Sequence, residues 1–156
     1  MEIKNLEIGG VDVEIRTLEI GDMASLAKLN RHFWNEESDV EEMERKFCDL
    51  QNNPSYIFLC AVEGAELVGS IMGIVCDELY GTCKPFLVVE NMVVDPKYRR
   101  KGIAKLLFEE LEKQSVIKGC RYAILVTDTE REGACKFYES VGFHPTKNKG
   151  YKKYFI

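Results

Sequence analysis

The sequence has few of the residues from which metal centres and nucleophilic catalytic sites are usually built. Its 156 residues include two histidines, His32 and His144, and no two of its six cysteines have CxxC or zinc-type spacing. Several cysteines lie in apolar runs, where a thiol behaves as a small hydrophobe. Cys83, Cys120 and Cys135 have no histidine near them in the sequence, which argues against a covalent nucleophile. We expect no metal and a reduced, cytoplasmic protein, although spacing alone leaves a disulfide between distant cysteines open.

Long hydrophobic runs are also missing. The longest run, residues 67–76, is interrupted by Gly69, Ser70 and Gly73 and is too short to span a bilayer. The first ten residues, MEIKNLEIGG, contain neither an apolar core nor a small-residue cleavage site. We therefore expect no secretory signal and no membrane partner.

The chain is acidic overall, with 26 acidic and 21 basic residues and a formal net charge of −5. This balance argues against a nucleic-acid partner and suits a cationic or neutral small molecule. Apolar residues make up 46% and charged residues 30%, which is typical of a soluble globular protein. The length predicts one domain over residues 1–156.

Hydrophobic periodicity predicts alternating strands and helices. The predicted order is a strand at 11–19, helices from Asp22 to Phe33 and at 38–53, two strands within 55–78, a strand at 85–94, a helix at 102–118, a strand at 121–128, a helix at 131–141 and a strand at 150–156. Asp22 is the expected N-cap of the first helix. This order predicts a mixed α/β (α+β) fold with one central sheet and helices packed on it.

The segment VVDPKYRRKGIAKLL, residues 93–107, gathers positive charge where a strand becomes a helix. The first N–H groups of a helix have no intrahelical partner and carry the positive end of its dipole. Gly102 lets a ligand approach the backbone closely, so the pattern predicts a site for an anion the size of a pyrophosphate. A P-loop and a dinucleotide-binding fingerprint are both excluded by their missing glycines. A solvated basic turn with no ligand stays an alternative at this point.

Two motifs give the segment a more specific interpretation. Arg99-x-x-Gly102-x-Ala104 resembles the [Q/R]-x-x-G-x-[G/A] pyrophosphate loop of the GNAT N-acetyltransferase superfamily. ACKFYESVGF, residues 134–143, resembles the second signature of that family, A-x-x-F-Y-x-x-x-G-F. The resemblance extends over about residues 11–156. It implies a single-domain GNAT fold with about six to seven strands and about four helices, and acetyl transfer from acetyl-CoA to a primary amine.

The resemblance also implies how the coenzyme binds. The strand at 90–94 would bulge and separate from the strand at 122–128, and the pantetheine arm of coenzyme A would lie in the gap as an added strand would. The N–H of Met92 would stabilise the oxyanion. The implied coenzyme-binding residues are Met92, Val93, Val94, Arg99, Arg100, Lys101, Gly102, Ile103 and Ala104, together with Arg131 and Ala134 in the second motif. Arg131 stands where the family often has asparagine, so it either binds a phosphate or points to solvent.

Two residues are candidates for proton transfer. By the resemblance, Tyr138 protonates the departing thiolate; the alternative is a core aromatic on a helix stripe. Glu90 precedes Met92 by two residues, so strict alternation would put both side chains on one face of the strand. A carboxylate in an apolar strand is costly to bury unless it is used or paired. Glu90 is therefore either the base that takes the amine proton or a member of a structural ion pair.

The acceptor is expected to be a small-molecule or peptide amine. In the family, the first two helices and the loop at 79–84 wall the acceptor side. These helices and the segment that joins them carry six acidic residues, Glu36, Glu37, Asp39, Glu41, Glu42 and Glu44, which are mostly a solvated face but would favour a cationic amine where they reach the cleft. A non-catalytic acyl-CoA sensor is the alternative function. The C-terminal KKYFI is an expected sheet edge through which a homodimer would form.

Overall fold

A computed structural model describes residues 4–8 and 10–155. The chain divides into two compact units, Met1–Ile124 and Leu125–Ile156, which are described separately. Within its described residues the first unit contains six strands, β1 (Lys4–Ile8), β2 (Val11–Thr17), β3 (Tyr56–Glu63), β4 (Glu66–Cys76), β5 (Phe86–Val94) and β6 (Ala123–Ile124), and three α-helices, α1 (Met23–Trp34), α2 (Val40–Leu50) and α3 (Ile103–Ile117). The second contains α4 (Glu132–Ser140).

The six strands form one sheet in chain order. Neighbours from β1 to β5 are antiparallel, and β5 pairs with β6 in parallel. The predicted mixed α/β fold with about four helices is therefore confirmed.

The strands at the two ends of the chain differ from the prediction. β1 was not predicted, and it pairs with β2 along its whole length through a turn in which Gly10 has φ 77°. The predicted strand at 150–156 is absent from residues 150–155, and Ile156 lies outside the described residues. Tyr151, Tyr154 and Phe155 are each more than three-quarters exposed. The homodimer expected through this edge stays a prediction.

Helix α3 covers one face of the sheet. Two glycines of β4 permit its close approach, because a Cβ at Gly73 would lie 2.5 Å from Leu111 Cδ1 and one at Gly69 would lie 3.1 Å from Leu107 Cδ1. Ile103, Leu107 and Leu111 are almost completely buried there. This packing fixes the start of α3, which begins at Ile103, next to the end of β5.

Helices α1 and α2 pack on the opposite face. Their apolar side chains, Met23, Leu29 and Phe47, form a buried cluster with Cys60 and Val93 of the sheet. Leu18, Val62 and Leu67 complete that cluster.

The entry to α1 is held by an ion pair. Asp22 occupies the predicted N-cap position, but its side chain makes no capping bond to α1. It instead accepts two hydrogen bonds from Arg16, at 2.7 and 2.8 Å, and one from the Glu19 N–H. Burial alone would raise the pKa of Asp22, but these hydrogen bonds outweigh burial and lower it. The ion pair therefore joins β2 to the start of α1.

Candidate active site

A β-bulge interrupts β5 at the predicted active-site strand. Met72 of β4 pairs with Glu90, but Ser70, two residues earlier in β4, pairs with Val93. Three steps along β5 therefore oppose two steps along β4, so β5 carries one extra residue. Asn91 within the bulge has φ 48°, a left-handed conformation that asparagine tolerates better than most residues. The bulge redirects the backbone of Asn91 and Met92 out of the regular ladder.

The bulge corrects the argument that had put Glu90 and Met92 on one face. Because cross-strand partners share a face, Glu90 and Val93 lie on the α1/α2 face, and strict alternation does not hold between them. Glu90 is also exposed, so the cost of burying a carboxylate does not apply to it. It makes no hydrogen bond or ion pair within the described part of the chain, which leaves the structural ion-pair alternative without support. Its role as the base stays a prediction.

Pairing between β5 and β6 ends before the bulge. The two strands pair only at Leu87 with Ala123 and at Val88 with Ile124. The predicted strand at 121–128 is therefore much shorter than expected, while β5 continues to Val94. The separation of the two strands that the resemblance implied stays a prediction, because residues 125–128 belong to the second unit. The short β6 leaves the side of β5 after Val88 without a strand partner in the residues that the structure describes.

The basic loop after β5 turns sharply into α3. Asp95 caps a short 3-10 turn, Pro96–Tyr98, by accepting from the Lys97 N–H at 2.8 Å. Arg100 and Gly102 then adopt left-handed conformations, with φ 60° and 88°. Gly102 is the N-cap of α3, has no side chain to cap it, and is exposed. The first N–H groups of α3 therefore have no side-chain cap, and Gly102 beside them has no Cβ that would keep a ligand away.

Tyr98 ties this loop to the β3–β4 hairpin. Its hydroxyl donates to the Glu63 carboxylate, and Glu66 Oε2 lies 3.4 Å away as a second acceptor. The hydrogen bond to Glu63 raises the pKa of Tyr98 to about 12. The Lys101 ammonium lies 5.1 Å from the centroid of the Tyr98 ring, within cation–π range. Sequence reasoning missed Tyr98 and Glu63, because their partnership joins residues that are far apart in the chain.

The side chain of Arg99 lies near α1. Its guanidinium lies 5.8 Å from the centroid of the Phe33 ring, and its Nε donates to the Val94 carbonyl at 3.4 Å. The side chain of Arg100, by contrast, is exposed and makes no ion pair among the described residues. The loop thus holds one guanidinium against the fold and leaves another accessible to an anion.

The remaining predicted residues lie in the second unit, on α4. Arg131 is the N-cap of this helix, and its carbonyl accepts from the Ala134 N–H at 2.9 Å. Tyr138 is half-buried, with its ring edge-to-face with Phe137 at 5.4 Å and Phe143 at 5.9 Å. These contacts fix the orientation of the Tyr138 ring. Its acid role and the coenzyme contacts of Arg131 and Ala134 stay predictions.

Most of the acidic residues of α2 and of the segment between α1 and α2 have structural roles. Glu41 and Glu42 lie in the first turn of α2, where they favour the helix dipole, and Asp39 caps that helix. Glu42 pairs with Arg45, and Glu37 pairs with Arg31. Most of these acidic side chains therefore belong to a solvated face of the protein, as expected.

Asn30 is a polar residue of α1. Its Oδ1 atom is buried and accepts no hydrogen bond from the residues that the structure describes. A buried oxygen in that state is costly and is a ready acceptor for a ligand N–H. Helical spacing could not have singled it out, since the spacing gives only the side of the helix.

A groove of about 490 Å³ lies between α1 and the β3–β4 hairpin. It contains neither Glu90 nor Gly102, so it is separate from the bulge and from the start of α3. Its lining residues are Ser25, Lys28, Leu29, His32, Glu63, Ala65, Glu66, Leu67 and Asp95. Among the described residues, no group of three or more histidine, cysteine or acidic side chains could hold a metal ion. No described helix is long and apolar enough to cross a membrane.

Comparison with known proteins matches this arrangement to one family. The model of the acetyltransferase (GNAT) family matches residues 23–143. A glucosamine 6-phosphate N-acetyltransferase of Trypanosoma brucei brucei is 29% identical over 136 residues, covering 85% of this chain and 90% of that protein. An acetyltransferase of Sodalis glossinidius is 32% identical over 111 residues, covering 70% of this chain and 68% of that protein. The crystal structure of glucosamine-6-phosphate N-acetyltransferase from Arabidopsis thaliana shares the fold, with a TM-score of 0.82 at 24% identity, covering 92% of this chain and 99% of that one. The chain belongs to the GNAT acetyltransferase family.

Proposed function

We propose that this enzyme transfers the acetyl group of acetyl-CoA to a primary amine by direct attack of the amine on the thioester. The observation that carries the proposal is the bulged end of β5, which has no strand partner on the β6 side among the described residues and leads into an exposed, glycine-capped start of α3. A pantetheine arm needs an unpaired strand edge, and a pyrophosphate needs open backbone N–H groups. Both requirements are met within one continuous segment of chain.

The coenzyme-binding roles follow from this segment. The pyrophosphate accepts hydrogen bonds from backbone N–H groups at the start of α3, and the exposed Arg100 adds a full positive charge. The pantetheine arm pairs with the backbone of Met92, Val93 and Val94. The Met92 N–H, displaced from the regular ladder by the bulge, faces the thioester oxygen. In the second unit, Arg131 and Ala134 contribute from the start of α4.

The reaction needs two proton transfers. The amine nitrogen forms a bond to the acetyl carbon as the carbon–sulfur bond breaks, giving the N-acetyl product and coenzyme A. Glu90 takes the proton that the amine loses, directly or through a water molecule. Tyr138 gives a proton to the departing thiolate, since a phenol with a pKa near 10 can protonate a thiolate and recover its own proton from solvent. No covalent enzyme intermediate is needed.

The acceptor is a small primary amine with positive charge. Relatives are named for glucosamine 6-phosphate and for aminoglycosides. The net charge of −5 supports a cationic acceptor, as does Glu90, which is exposed and has no ion-pair partner among the described residues. The cysteine usage supports a cytoplasmic location.

Two measurements test the proposal. Titration calorimetry with acetyl-CoA, beside dephospho-CoA and ATP, tests the coenzyme site; binding of acetyl-CoA with ATP inert is expected. Turnover is then followed by thiol release for Tyr138→Phe, with Tyr151→Phe as the matched control because Tyr151 is 84% exposed and has no role in the proposed site. We expect Tyr138→Phe to lower kcat by about 100-fold with acetyl-CoA binding retained.

The outcomes separate the possible functions. A wild-type enzyme that does not bind acetyl-CoA would overturn the proposal. A wild-type protein that binds acetyl-CoA tightly but transfers nothing to any amine would be a sensor. Equal turnover in Tyr138→Phe and wild type would remove Tyr138 from the mechanism while leaving the activity in place.

A further inference from the structure

Part of the α1/α2 face of the sheet lies outside the buried cluster and is only partly covered among the described residues. The buried cluster under α1 and α2 includes Cys60 and Val93. Farther along the same face, the cross-strand pair Ile74–Val88 is half-buried, and Ile124, the β6 partner of Val88, is 46% exposed. These side chains form a partly exposed apolar floor that continues from the bulge toward the start of β5.

Each end of this floor carries a carboxylate. Glu90 stands at the bulge end, on the same face as Val88 and exposed. At the other end Phe86 stacks on Tyr122, with ring centroids 5.2 Å apart and planes inclined by 7°. The Tyr122 hydroxyl donates to Glu78 Oε1 at 2.9 Å, which holds the Glu78 carboxylate at that end.

The distance between the two ends follows from strand geometry. Phe86 and Glu90 are four residues apart on β5, and a strand rises about 3.3 Å per residue, so the Cα atoms of these two residues are about 13 Å apart. The floor between them is aliphatic and carries no charge. Two anionic ends joined by an apolar strip are complementary to a molecule with two cationic ends joined by methylene groups.

We propose that the acceptor is an elongated aliphatic polyamine that lies along this floor, with its reacting amine at Glu90 and a second ammonium at Glu78. The inference rests on the proposed acetyl transfer and names the class of its acceptor. The methylene chain packs on Ile74, Val88 and Ile124, while the far ammonium donates to the carboxylate that Tyr122 holds in place. A phosphorylated amino sugar fits less well, because it would bring a dianion to a surface with carboxylates at both ends.

The test compares α,ω-diamines with alkyl monoamines of equal chain length, from propyl to dodecyl, at saturating acetyl-CoA. The readout is the ratio of kcat/KM for each diamine to kcat/KM for its matched monoamine. In wild type we expect this ratio to rise with chain length to about fivefold, the factor that one exposed ion pair supplies. In Glu78→Gln, which keeps an oxygen for Tyr122 but loses the charge, the ratio should fall to about one.

Glu112→Gln is the matched control, since Glu112 is an exposed residue of α3, the helix on the opposite face of the sheet. It removes the same formal charge and should leave the wild-type ratio unchanged. A ratio near one at every length in wild type, or a wild-type ratio retained in Glu78→Gln, would overturn the inference. So would a higher kcat/KM for glucosamine 6-phosphate than for every diamine. Each of these results still requires acetyl transfer, whereas an enzyme that acetylates no amine would fail the proposed function itself.

Discussion

The hydrogen bond between Tyr98 and Glu63 should set the affinity for the coenzyme. Tyr98→Phe keeps the aromatic ring beneath the Lys101 ammonium but removes the hydroxyl that ties the loop to the β3–β4 hairpin. Because Tyr98 lies only four residues before Gly102, the N-cap of α3, any shift of this turn moves the backbone groups that we propose bind the pyrophosphate. The variant therefore tests whether the loop is held in its binding conformation before the coenzyme arrives.

The size of the effect follows from the exposure of the contact. A hydrogen bond to a charged group contributes about 1.5–3 kcal/mol when it is well shielded. Tyr98 is only half-buried, and solvent screening reduces the contribution to about 1 kcal/mol. That free energy corresponds to about a fivefold rise in the dissociation constant of acetyl-CoA. At saturating acetyl-CoA, kcat should be unchanged, because Tyr98 positions the loop and takes no part in the chemistry.

The assay is titration calorimetry with acetyl-CoA, with Tyr151→Phe as the matched control. Tyr151 is 84% exposed and has a lysine, Lys149, 5.3 Å from its ring centroid, so the control removes the same hydroxyl from a similar lysine–ring pair. Glu63→Gln retains an oxygen acceptor and should bind more tightly than Glu63→Ala. If Tyr98→Phe and Tyr151→Phe bind acetyl-CoA equally well, the loop is not held by this contact.

The pH dependence gives a second check on the same contact. The pKa of Tyr98 is raised to about 12, so the protonated phenol is the form that the fold stabilises. The contribution is complete below the ordinary tyrosine pKa near 10 and is lost as the pH rises through about 12. The difference in affinity between wild type and Tyr98→Phe should therefore stay constant from about pH 6 to about pH 9.

Two further predictions concern stability. Gly73→Ala should lower the free energy of unfolding by about 1–3 kcal/mol, because its Cβ would lie 2.5 Å from Leu111 Cδ1, and Leu111 is fully buried. Gly21→Ala, which has open space around it, is the calorimetric control, and equal Tm values for the two variants would contradict this packing. Asp22→Asn should cost about 1–3 kcal/mol at neutral pH by weakening the bond to Arg16. Because the pKa of Asp22 is lowered on folding, this stabilisation is present above about pH 4 and is lost as the pH falls through the lowered pKa, so urea titrations of variant and wild type should converge in acid.

The sequence predicted the elements whose signals are local. The helix expected at 102–118 is observed at Ile103–Ile117, because helical periodicity and a glycine at each end define it within a single segment. The proposed anion-binding loop belongs to the same segment. Its left-handed residues, Arg100 and Gly102, belong to one short turn, and only the second was signalled by its residue type.

Features that depend on pairing between distant segments were not predictable in this way. The bulge at Asn91 is defined by the register of β5 against β4, and no pattern within β5 reports that register. The apolar segment 121–128 has the composition of a long strand, yet among the described residues only Ala123 and Ile124 pair with β5, and no pattern within the segment reports where pairing ends. The hydroxyls of Tyr98 and Tyr122 bond to carboxylates 35 and 44 positions away in the chain.

The distribution of charge now has a physical explanation. Acetyl-CoA is an anion and the proposed acceptor is a cation, so an enzyme that binds both needs fields of opposite sign within one small protein. A net charge of −5 favours the cation and opposes the anion. The opposition is overcome locally, because the start of α3 contributes the positive end of its dipole and the adjoining loop supplies Arg99, Arg100 and Lys101. Screening limits each field to about 8–10 Å at physiological ionic strength, so the basic loop and the distant Glu78 act almost independently on their own substrates.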